Sequence, residues 1–151
     1  PSPFYIVTTS QSAPARNSSA LANVSATSLF NPFSADTLRL RLQSTPYGSL
    51  PNFTLTSSSQ LSSTAYSARN RTYAAFHSVP VQPGGELQLL AAGFEEGEGG
   101  LKIKDGYLLG VEEETEGWSI CPGDMGERVV RWKGGKDCEG VFLQVVRMPP
   151  Y

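Results

Sequence analysis

The chain has 151 residues, 39% hydrophobic and only 17% charged, with a formal net charge of −2 and a pI near 5.4. That length suits one domain able to bury an ordinary core without a metal. The acidic balance and the absence of a Lys/Arg cluster exclude nucleic acid as a partner, and apolar runs of no more than about four residues exclude a transmembrane helix.

In chain order, Phe4-Tyr5-Ile6-Val7-Thr8 is a β-branched and aromatic run, which predicts a strand. Residues 9–29 are rich in Ser, Ala and Asn and read as a long surface loop. Leu38-Arg39-Leu40-Arg41-Leu42 alternates strictly, the period of a half-buried strand with leucines on one face and arginines on the other. Phe53-Thr54-Leu55-Thr56 repeats the pattern, Ser57 to Ser63 reads as a polar connection, and Tyr73 to Val81 reads as extended.

The second half is more tightly punctuated. Pro83-Gly84-Gly85 is a turn ahead of Leu87-Gln88-Leu89. Asp105-Gly106 between Leu101–Lys104 and Tyr107–Leu109 predicts a hairpin, because both central turn positions need positive φ. Further strands are expected at Trp118–Cys121, Val129–Trp132 and Val141–Val146, separated by Pro122-Gly123 and Gly134-Gly135. About nine or ten short strands with frequent turns predict an all-β, single-domain antiparallel sandwich or barrel, with a β-trefoil as the alternative at this length. Residues 84–97 and 99–113 share a Gly-Gly start, an alternating run and a Glu-Glu end, a weak internal repetition.

Four of the five asparagines, Asn17, Asn23, Asn52 and Asn70, stand in N-x-[ST] sequons, and only Asn31 fails, before Pro32. The sequon is read only in the secretory pathway and its glycan must face water. The expectation is a secreted, N-glycosylated protein, extracellular or cell-wall associated. A start at Pro1 without Met fits a removed leader, and the Ser/Thr density also allows O-glycosylation. In that compartment Cys121 and Cys138 predict one disulfide joining the strand at 118–121 to the start of the strand at 141–146.

Candidate chemistry is sparse. The single histidine, His77, excludes His₂ and His₃ metal sites, and no G-x-S-x-G, C-x-x-C or phosphate-loop motif is present. No cofactor and no catalytic residue is expected. The acidic runs Glu95-Glu96-x-Glu98 and Glu112-Glu113-Glu114-x-Glu116 read as solvated loops or edges, with calcium or paired catalytic carboxylates as rival readings. Tyr107, Trp118 and Trp132 are the candidate glycan-stacking residues, although packing of both tryptophans against the disulfide is the competing expectation. Charge is uneven. Residues 1–78 hold five Arg and one Asp, a net of +4, and residues 79–151 hold seven basic and thirteen acidic residues, a net of −6.

Asp105-Gly106-Tyr107-Leu108, Gly117-Trp118-Ser119-Ile120-Cys121-Pro122, Trp132, Cys138-Glu139-Gly140-Val141 and Leu143-Gln144-Val145-Val146 occur in that order. This order resembles the PhiA-type cell-wall proteins of filamentous fungi and related small secreted fungal β-domains, over residues 100–147. The resemblance implies a wall-associated, non-enzymatic protein and carries over no binding residues. The expected function is adhesion or assembly at the cell surface, with itself or cell-wall glycans as partner. The apolar segment Phe4, Tyr5, Ile6, Val7 and Thr8 is the candidate strand for pairing between molecules. A carbohydrate-binding module and a small secreted hydrolase are the alternatives. Exposed, coplanar aromatics favour the first, and His77 or two facing carboxylates in a cleft favour the second.

Overall fold

A computed structural model describes residues 3–11, 25–30, 37–42, 50–67, 71–91, 99–123 and 126–147. These residues form twelve strands: β1 (Tyr5–Ser10), β2 (Ser25–Phe30), β3 (Thr37–Leu42), β4 (Thr54–Leu55), β5 (Leu61–Ser67), β6 (Thr72–Ser78), β7 (Gln88–Ala91), β8 (Leu101–Lys104), β9 (Leu108–Val111), β10 (Trp118–Pro122), β11 (Arg128–Trp132) and β12 (Glu139–Val146). Every pairing is antiparallel. Among the described residues no helix is long and apolar enough to cross a membrane.

The pairings close on themselves. Strand β1 meets the start of β4 through reciprocal bonds between Phe4 and Phe53, of 2.8 and 2.7 Å. Strand β4 pairs with β5, and the segment leading into β5 reaches β8, where the Leu101 N–H donates to the Ser59 carbonyl at 3.1 Å. Strands β8, β9, β12 and β1 then pair in that order and complete a six-stranded barrel. The other six strands form three hairpins, β2–β3, β6–β7 and β10–β11. Their inner strands meet at one end of the barrel. β3 pairs with β7 and with β11, and Glu86, two residues before β7, bridges to Arg131 of β11. Six barrel strands capped by three mutually contacting hairpins, four consecutive strands to each third of the chain, is the β-trefoil arrangement. Full closure leaves the barrel itself without an unpaired edge.

The core follows from the alternation. Leu38 and Leu40 of β3, Leu87 and Leu89 at β7, and Val130 and Trp132 of β11 turn inward from the three hairpins. They join Phe4, Ile6, Phe53, Leu61, Leu101, Leu109 and Leu143 in one buried cluster. Each such side chain contributes on the order of 1.5–3 kcal/mol by leaving water. A second, smaller cluster holds Phe30, Cys121 and Val129, with Cys138 against it. The predicted turn at Asp105-Gly106 is present, with both residues at positive φ (56° and 82°) and the Tyr107 N–H bonded to the Lys104 carbonyl at 3.2 Å.

Three expectations are corrected. Strand β2 runs through a segment that reads as loop, and β5 begins inside the predicted polar connection. Both are rich in Ser, Thr and Ala, so their extended state comes from partners. β2 lies between β1 and β3, and β5 pairs with β6 along its full length. The candidate intermolecular strand is internal. Residues 5–10 pair with β12 over six positions, β2 takes the other edge, and Phe4, Ile6, Val7 and Thr8 are buried. A strand used on both edges and buried on its faces has no free ladder to offer another chain.

Candidate functional site

Cys121 and Cys138 form the predicted disulfide, with Cα atoms 4.3 Å apart. It ties β10 to the residue before β12. Gly134 packs against this bridge, where an added Cβ would come 2.6 Å from the Cys121 sulfur and 2.9 Å from that of Cys138. No side chain fits there, which accounts for the first glycine of Gly134-Gly135.

The predicted glycan-stacking set is not assembled. Trp118 is 1% and Trp132 5% exposed, and both belong to the main core. Their rings meet edge to face, with centroids 4.8 Å apart at 70°, and the Trp118 indole N–H donates to the Leu109 carbonyl at 2.9 Å. They pack against each other, whereas Phe30 and Val129 pack with the disulfide. Tyr107 is half-buried in the β8–β9 turn, and its carbonyl accepts from Val145 at 2.8 Å.

Among the described residues the large aromatics that do face water are Tyr66 at 54% and Tyr73 at 72% exposed. They are opposite each other in the β5–β6 hairpin, with ring centroids 5.8 Å apart at 81°. Period-two alternation explains their position. Thr64, Tyr66, Tyr73 and Ala75 share the exposed face, while Ser63 and Phe76 turn inward and are buried. The sequence signal was a mirror pattern, Thr-x-Tyr before the connection at 68–71 and Tyr-x-Ala after it.

His77 is half-buried on β6, across from Ser62 and Leu90. Its Nδ1 is buried without a hydrogen-bond partner, and among the described residues no hydroxyl or carboxylate bonds to the ring. The run at 112–116 lines an open cleft of about 630 Å³ with Lys104, Trp132 and Lys133. Lysines occupy two of its carboxylates, Glu113 with Lys102 at 3.2 Å and Glu114 with Lys133 at 3.1 Å. Among the described residues no group of three or more His, Cys, Asp or Glu is placed to hold a metal. Glu95, Glu96 and Glu98 lie outside the described residues, as do the sequon residues Asn17, Asn23 and Asn70. Asn52 is exposed just before β4, and its carbonyl accepts from the Ser63 hydroxyl at 2.7 Å.

Comparison with protein-family models, with curated proteins and with solved structures finds no match. The chain is therefore defined by its own geometry, an antiparallel β-barrel capped by three hairpins and carrying one disulfide and an exposed tyrosine pair.

Proposed function

We propose that this protein is a secreted, N-glycosylated domain of the cell surface or wall that acts by adhesion, and that it holds glycans on the β5–β6 hairpin. The observation that carries this reading is the Tyr66–Tyr73 pair. An exposed tyrosine offers an apolar face for the C–H side of a pyranose and a hydroxyl for its polar rim. Burying these rings in a complex removes apolar area that the isolated fold leaves in water. Thr64, Arg71 and Thr72 are exposed on the same hairpin and supply hydrogen-bonding groups.

The angle between the rings narrows the ligand. At 81° the two cannot lie flat under one extended sugar surface. One ring serves as the platform and the other as a wall beside it. That shape suits a single sugar unit at a chain end or branch, in a soluble or amorphous glycan, better than a crystalline polysaccharide face. The sequons, the disulfide and the fungal-wall resemblance support the extracellular setting.

The test is binding of the enzymatically deglycosylated protein to soluble cell-wall oligosaccharides, followed by titration calorimetry. Saturable binding lost in Tyr73→Ala supports the reading. Equal binding by parent and variant, or none by the parent, refutes the hairpin site. Sedimentation of the same samples measures self-association, the other form of adhesion.

A further inference from the structure

We propose that the cleft beside the disulfide is a carboxylate-binding site built on Arg131, independent of the tyrosine pair. The cleft, of about 330 Å³, lies between the Cys121–Cys138 bridge, the turn at 134–137 and Arg131. Arg131 is half-buried on β11 and, among the described residues, makes no ion pair. Its Nη1 donates to the Gly84 carbonyl at 3.3 Å, while its Nε is buried with no partner among the described residues. The carboxylate on the segment bridged to Arg131 is already engaged. Glu86 is the bridge partner of Arg131, but its carboxylate pairs with Arg39 at 2.6 Å. Among the described residues Arg131 is thus left without a carboxylate partner at the junction of the three hairpins.

A half-buried charge without a partner is costly, and an anion relieves that cost. The free donors also specify the shape of the anion. With Nη1 turned to Gly84, the Nε–Nη2 edge of the guanidinium makes no bond among the described residues, and that side-on fork matches the two oxygens of a carboxylate. The turn adds positive potential. Lys136 lines the same cleft, and the backbone N–H groups of Gly135, Lys136 and Asp137 donate to no protein group among the described residues. Gly135 leaves the cleft open, since an added Cβ there meets nothing within 4 Å. Asp137 is the opposing charge on the rim. It is exposed and forms no ion pair with Arg131.

The ligand class is a carboxylate, supplied by an acidic sugar or by a protein side chain or C-terminus. The test is titration of the ¹⁵N-labelled protein with glucuronate, N-acetylglutamate and uncharged glucose. The expected result is saturable shifts of the Arg131 Nε–H and of the amides at 134–138 with either carboxylate and none with glucose. Preference for glucuronate assigns an acidic sugar, and preference for N-acetylglutamate assigns a protein carboxylate. Arg131→Gln should weaken binding about tenfold or more, the scale of a lost charge-assisted fork. Arg131→Lys keeps the charge and removes the fork, so it should weaken binding too, and it serves if the glutamine variant does not fold. No saturable shift with either carboxylate, or shifts that persist unchanged in Arg131→Lys, overturns the proposal.

Discussion

Trp118 and Trp132 are register partners in the β10–β11 hairpin, and their rings meet edge to face 4.8 Å apart inside the core. Gly117 is shaped by this pair, because an added Cβ would lie 2.5 Å from the Trp132 ring. The most conspicuous aromatics of the chain therefore hold the third hairpin against the barrel and do not face a ligand.

Replacing Trp118 by Ala should cost about 3–5 kcal/mol of stability, as expected for a large ring lost from a close-packed core with its indole hydrogen bond. Urea denaturation followed by circular dichroism measures this. A loss under about 1 kcal/mol contradicts the buried role, since surface substitutions fall within about 0.5 kcal/mol.

Tyr66→Ala and Tyr73→Ala should behave in the opposite way. Both rings are mainly exposed, so stability should change by less than about 1 kcal/mol. Glycan binding should fall in both variants. A thermal melt alongside the binding assay separates the two effects, and unchanged binding removes the hairpin as the adhesive site.

Thiol titration of the native protein should find no free sulfhydryl from Cys121 or Cys138. Replacing both cysteines by Ser should cost about 3 kcal/mol in the chain-entropy account of a loop this size. The variant should still fold if the core clusters carry the remaining stability. Two titratable thiols in the native state would falsify the bridge.

Deleting residues 1–10 should abolish folding. Strand β1 pairs with both β12 and β2 and carries Phe4, Ile6 and Val7 into the core. Circular dichroism of the truncated chain measures the outcome. A folded, monomeric product would show that the strand is dispensable and restore the idea that it pairs between molecules.

When the chain is expressed through the secretory pathway, Asn52 should carry a glycan, since it is exposed at the head of β4. Asn52→Gln should then lower the mass by one glycan with little loss of fold. An unchanged mass would show that this sequon is not used.

Much of the fold was legible because much of its signal is local. Leu38–Leu42 alternates, Asp105-Gly106 demands a hairpin, and the runs ending at Cys121, Trp132 and Val146 are β-branched or aromatic between turn residues. Strands β2 and β5 were not legible, because Ser, Thr and Ala commit weakly to the extended state until a neighbour supplies the ladder. The candidate site shared that fate, since Tyr66 lies on β5 and its exposure depends on how β5 pairs with β6.

The sequence by itself determined the all-β class, the disulfide and the positions of most strands, because periodicity, turn chemistry and cysteine count act over a few residues. Only the tertiary structure decided which of the described aromatics meet water and that Arg131 makes no ion pair among the described residues. A strand has two faces, and its own residues do not say which is covered. Pairing with strands far along the chain turned Trp118 and Trp132 into the core and left Tyr66 and Tyr73 outside. The closure of three distant hairpins on one end of the barrel then set Glu86 beside Arg131 in the sheet while its carboxylate pairs with Arg39.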